Sequence, residues 1–67
     1  MKKRSVTLRK HRTSISLEDE FWTELARIAR REGLSLQTLI TRIDAGRKGN
    51  LSSALRLYVL ESLKARI

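Results

Sequence analysis

Two periodicities divide the chain. From Arg12 to Leu17 polar and apolar positions alternate, with Thr13, Ile15 and Leu17 on one side and Arg12, Ser14 and Ser16 on the other. That is the period-two pattern of a half-buried strand. Beyond it the spacing becomes helical: Phe21, Leu25, Ile28 and Ala29 recur at three- and four-residue steps, followed by Leu36, Leu39, Ile40 and Ile43. A third stripe holds Leu51, Ala54, Leu55, Tyr58, Val59 and Leu63, and Leu57 and Leu60 widen it beyond what a solvated helix needs. The pattern predicts one strand and three helices, a mainly α chain whose last helix packs against more than one neighbour.

The element ends carry their own signals. Ser16 with Asp19 in "SLED" fits a capping box, and Glu18, Asp19 and Glu20 suit the positive end of a helix. Arg27, Arg30 and Arg31 fall late in that helix, and Gly33 fits the position just past its end. Ser35 caps a second helix and Asn50 a third, with "AGRKGN" at 45 to 50 as the loop between them.

Upstream of the strand, Val6 and Leu8 occupy even positions whereas Ile15 and Leu17 occupy odd ones. A single flat strand through all four would put the two pairs on opposite faces, so a break or bulge is predicted near Lys10 and His11. Residues 1 to 12 contain Lys2, Lys3, Arg4, Arg9, Lys10 and Arg12 and no acidic side chain. They read as a flexible basic arm over residues 1–11 preceding a single domain over 12–67. No internal repeat stands out, and proline is absent.

One short strand cannot satisfy its own backbone groups. Nothing else reads clearly as its partner, and the partner most easily supplied is the same strand of a second copy. Chain length points the same way, since 67 residues make a small core that is marginal alone. There is no cysteine and a single histidine, which excludes disulfides and thiolate or imidazole metal clusters and leaves oligomerisation as the common supplement.

Charge narrows the partner. Fifteen Lys and Arg against seven Asp and Glu give +8 and a pI near 11.2, a polyanion binder's balance. The basic start lacks the apolar run of a signal peptide, and no segment is long enough to span a bilayer, so a soluble intracellular protein is expected. The acidic residues form no convincing catalytic pair, and without a Gly-rich phosphate loop or a Cys/His nucleophile arrangement an enzyme is not expected. Neither a cofactor nor a metal is implied.

With the strand, the first helix and "GLSLQTLI" in place, residues 12 to 44 resemble the ribbon-helix-helix family of DNA-binding proteins, typified by the Arc and methionine repressors. "KRSVTLRKHRTSISLEDEFWTEL" and "GNLSSALRLYVLESL" are similar to short bacterial members, and the latter itself looks like a second-helix motif. The resemblance implies a homodimer whose paired strands form an antiparallel ribbon entering the major groove of double-stranded DNA. It departs from the minimal pattern in adding a third, C-terminal helix.

Roles follow by position. The resemblance puts Arg12, Ser14 and Ser16 at the three base-reading positions, although the capping box competes for the Ser16 hydroxyl. Phosphate contacts would come from Lys2, Lys3, Arg4, Arg9, Lys10 and His11, and from Ser35, Leu36 and Gln37 at the amino end of the second helix. The dimer core would hold Ile15, Leu17, Phe21, Leu25, Ile28, Leu39, Ile40, Ile43, Leu55 and Val59, with Trp22 a partly covered flank. The expected function is sequence-specific repression in the cytoplasm, at the nucleoid. Two other classes stay open: an antitoxin-type regulator whose third helix binds a partner protein, and a non-specific RNA or membrane polyanion binder.

Overall fold

The computed structural model describes residues 1–47 and 49–65. Its order is β1 (Lys2–Leu8), β2 (His11–Leu17), α1 (Asp19–Arg31), α2 (Leu36–Gly46) and α3 (Leu51–Lys64). A ribbon-helix-helix with an added C-terminal helix is what the sequence led us to expect. The ribbon's second strand, however, comes from the segment read as a flexible arm.

β1 and β2 pair antiparallel, from Lys2 opposite Leu17 to Leu8 opposite His11. Only Arg9 and Lys10 lie between them, both at positive φ (51° and 68°), as a two-residue hairpin turn with matching twist requires. This accounts for the parity shift. Residues facing each other across this hairpin have numbers summing to 19, so even positions in β1 share a face with odd ones in β2. Val6, Leu8, Ile15 and Leu17 are accordingly all buried on one face. The break predicted at Lys10 and His11 is a reversal of direction, and it supplies β2 with a partner inside the chain.

The helix starts correct one cap and bear out two. β2 runs through Leu17, so Ser16 is a strand residue and Glu18, in extended conformation, is the N-cap of α1. The Glu18 carbonyl accepts from the N–H groups of Phe21 and Trp22 (3.0 and 3.2 Å). Its carboxylate turns away to Arg56 of α3, where Nε donates at 3.0 Å. Ser35 and Asn50 cap as predicted, accepting from Thr38 N–H (3.0 Å) and Ser53 N–H (3.2 Å). Gly33, at φ 72°, ends α1 with the paired bonds of a Schellman motif, Leu34 N–H to Ala29 O and Gly33 N–H to Arg30 O. α2 reaches Gly46, which shortens the expected loop, and the predicted extension of α3 over residues 66–67 lies outside the described residues.

The three helices contact one another and lie under one face of the hairpin, α2 against β1 and α3 against β2. Leu17, Leu25, Leu39, Ile40, Leu55 and Val59 are fully buried there, each worth roughly 1.5–3 kcal/mol of transfer free energy. Ile15 and Ile28 are buried too, and Phe21 and Ile43 pack half-buried against the cluster. The side chains expected to need a second copy are thus covered largely within one. Trp22 corrects a further expectation: it is buried, with Nε1 donating to the Lys2 carbonyl at 2.8 Å and the Arg4 guanidinium 5.2 Å from its ring centre. An unpaired indole N–H would be costly at that depth, and the start of β1 satisfies it.

Candidate nucleic-acid interface

The face of the hairpin opposite the core carries Lys3, Ser5 and Thr7 from β1 and Arg12, Ser14 and Ser16 from β2. They stand in three cross-strand pairs: Lys3 with Ser16, Ser5 with Ser14, and Thr7 with Arg12. Five of the six are exposed and Ser16 is half-buried. The face has two cations, four hydroxyls and no carboxylate. Such groups can donate to guanine O6 and N7 or exchange hydrogen bonds with other base edges, and a two-stranded ribbon fits the roughly 12 Å width of a major groove.

The three predicted base readers therefore share a face, as alternation required. Release of Ser16 from capping removes the competing role for its hydroxyl. Sequence reasoning missed Lys3, Ser5 and Thr7 as members of this surface, having placed Lys3 among the phosphate contacts and left the other two without a role. The signal was available in "KRSVTL", which alternates as "RTSISL" does.

The remaining predicted contacts separate by environment. Lys2 and Arg4 lie at the base of β1, where the Lys2 carbonyl and the Arg4 guanidinium engage Trp22. Arg9 and Lys10 form the exposed turn, and Arg9 Nε lies 3.5 Å from Asp44 Oδ2. Asp44, 5% exposed, also accepts from Arg47 Nε at 2.6 Å, so a buried carboxylate ties the hairpin turn to the end of α2. Nothing in the sequence singled it out, because an acid on a helix rich in apolar residues has no local signature of burial. His11, beside the turn, is exposed and borders a cleft of about 400 Å³ between β2 and the start of α3, together with Arg47, Asn50 and Ser52.

Both ribbon edges meet a helix start. Gln37 in the first turn of α2 accepts from Thr7 N–H (3.2 Å) through Oε1 and donates through Nε2 to the Thr7 carbonyl. This double bond to one residue satisfies backbone groups that an edge strand leaves open. It also sets the first turn of α2 beside β1, where the N–H groups of Leu36 and Gln37 have no acceptor among the described residues. On the other side α3, capped by Asn50, packs on β2. Free N–H groups and the helix dipole make such ends attractive to phosphate.

Just past the end of β2, Arg56 bridges α3 to the N-cap of α1. Besides its bond to Glu18, its guanidinium lies 5.9 Å from the Phe21 ring centre. The hydrogen bond from Arg56 holds the Glu18 carboxyl below its ordinary range. Among the described residues no group of acidic, histidine or cysteine side chains could hold a metal ion, and no helix is long and apolar enough to cross a membrane.

No curated protein and no solved structure matches the chain. A family model described as a ribbon-helix-helix domain matches residues 1–63, which takes in both strands and nearly all of α3. The chain therefore belongs to the ribbon-helix-helix domain family.

Proposed function

We propose that the protein binds double-stranded DNA sequence-specifically, seats the exposed face of its hairpin in the major groove and represses transcription by occupying an operator. The observation that carries this reading is the hairpin face itself: Lys3, Arg12 and four hydroxyl residues, without a carboxylate, on strands whose other face is locked into the core. A rigid backing matters because base reading needs side chains held in register with base edges. Membership of a family of regulatory DNA-binding proteins agrees with it, and catalysis has no place in it.

Arg12 is the leading base reader, with Ser14 and Ser16 beside it. Lys10, His11 and the amino end of α2 at Ser35, Leu36 and Gln37 supply phosphate contacts, and the +8 charge supplies the long-range attraction. A homodimer belongs to the proposal. Since β2 already has β1 along one edge, we place the second copy on α3, where Leu57, Leu60 and Leu63 are exposed. Glu32, Glu61, Arg42 and Arg47 border the adjoining groove, and a two-fold axis could set acids of one copy against arginines of the other. The protein then acts in the cytoplasm, at the nucleoid.

The test is selection from a pool of random duplex DNA at near-physiological salt, with the mass in solution recorded alongside. A short enriched site supports the reading, and equal retention of duplex, RNA and anionic vesicles would replace it with a non-specific polyanion binder. The same exposed leucines support a second reading, an antitoxin-type regulator whose α3 docks a partner protein. Leu57→Ser combined with Leu60→Ser that leaves the protein dimeric but abolishes capture of a copurifying protein would favour it.

A further inference from the structure

The hairpin has an internal symmetry that becomes visible only through its register. A two-fold axis through the Ser5–Ser14 pair, perpendicular to the ribbon, carries each β1 residue onto the β2 residue nine positions later. Under it Lys3 falls on Arg12, Ser5 on Ser14, Val6 on Ile15, Thr7 on Ser16 and Leu8 on Leu17. "KRSVTL" thus overlays "RTSISL", cation on cation, hydroxyl on hydroxyl and aliphatic on aliphatic, with Arg4 on Thr13 as the one change of character. The absence of repeats read from the sequence is corrected here. Each strand also has a helix against it, α2 on β1 and α3 on β2, and "GLSLQ" and "GNLSS" open those two helices with like chemistry.

We propose that a single chain forms a complete, pseudo-two-fold reading unit, in which Lys3 is a base-reading residue equivalent to Arg12 and each reads one arm of a short inverted repeat. The inference rests on the DNA-binding reading above and changes what it needs, because the ribbon is no longer shared between copies. Lys3 and Arg12 stand at opposite ends of the exposed face, in the first and third of its cross-strand pairs. Four residues along a strand span about 14 Å, the length of about four base pairs at 3.4 Å each. Both cations donate to guanine O6 and N7, Arg12 through a bidentate fork and Lys3 through a single ammonium. Ser5 and Ser14 flank the axis, and Thr7 and Ser16 are exchanged by it at the two ends, each opposite a cation, so both pairs would meet symmetry-related base edges alike. A second copy then adds a second reading unit to the first.

The experiment is selection from random duplex DNA with the wild type, Lys3→Ala and Arg12→Ala, each first shown by circular dichroism to be folded. The wild type should enrich a short inverted repeat. Arg12→Ala should lose preference on one arm and Lys3→Ala on the other, each by roughly 5- to 150-fold at the affected base pair. Dimerisation through another surface leaves this outcome intact, since each copy would still lose one arm of its own site. If Arg12→Ala erases both arms together while Lys3→Ala leaves the site unchanged, the ribbon is built from two copies of β2 and the inference falls while sequence-specific binding stands. If the wild type enriches no site, sequence-specific reading and this inference fail together.

Discussion

The two faces of the hairpin are built from the same strands by the same alternation, yet they carry opposite demands. The inner face holds Val6, Leu8, Ile15 and Leu17 against the helices, every one of them buried. The outer face holds Lys3, Ser5, Thr7, Arg12, Ser14 and Ser16, five of them exposed. Stability and, on the proposed reading, recognition are thereby assigned to alternate residues one peptide apart. Substitutions on adjacent positions should separate the two properties, and a failure to separate would show that the face division is wrong.

The largest effect belongs to the inner face. Leu17 is fully buried, so Leu17→Ala should destabilise by about 2–5 kcal/mol, while its neighbour Ser16→Ala should stay within about 0.5 kcal/mol. Thermal unfolding followed by circular dichroism measures both. Ile15→Lys is harsher still, since it places a charge where the side chain is 3% exposed, and it should leave the chain unfolded. A folded Ile15→Lys protein would mean that β2 can turn its other face to the helices.

The outer face should respond the other way round. Arg12→Ala should leave unfolding within about 0.5 kcal/mol of wild type but remove about 1–3 kcal/mol of discrimination between the selected site and random DNA. Arg4→Ala is its counterpart beneath: loss of the guanidinium over Trp22 should lower stability by about 0.5–1 kcal/mol with little change in sequence preference. If Arg12→Ala weakens specific and random duplex equally, Arg12 is a phosphate contact and the reading face lies elsewhere.

Between the faces lies the turn. Lys10 sits at φ 68°, a conformation that costs a residue with a side chain roughly 1–2 kcal/mol. Part of that is recovered in Lys10→Gly, which should stabilise by about 1 kcal/mol and raise the melting temperature by several degrees. Were residues 1–11 a flexible arm, the same change would have no folded-state strain to relieve. A melting temperature that stays the same or falls would therefore count against the hairpin.

Legibility followed the range of the interactions. The three helices, the caps at Ser35 and Asn50, the stop at Gly33 and the alternation in β2 are local, and local spacing revealed them. The pairing of β1 with β2 is local too, but its turn lacks the glycine or asparagine that marks most such reversals, so the basic residues were read as an unstructured arm. The even-to-odd shift between Val6 and Ile15 was the hairpin's own trace, taken as a kink within one strand. What the sequence could not reveal are the contacts that span the fold. Whether Phe21 or Trp22 is buried depended on a carbonyl twenty residues away in β1, and Glu18 left its helix for an arginine 38 residues on.

That last contact gives the smallest effect and a test just past the end of β2. The hydrogen bond from Arg56 lowers the Glu18 pKa, so the folded protein releases this proton more readily than the unfolded chain does. The pair's contribution is therefore present above the ordinary value of 4.5 and is lost as the pH falls through the lowered folded value. Glu18→Gln should be slightly less stable than wild type at pH 7, and the gap should close as acid protonates Glu18 in the wild type. Because both side chains are substantially solvated, salt should also narrow the gap at neutral pH. Denaturant unfolding of the two proteins across pH 3 to 7 measures it. No gap at any pH would mean that Arg56 acts mainly by covering Phe21, and Glu18 would then matter as the N-cap of α1 through its backbone alone.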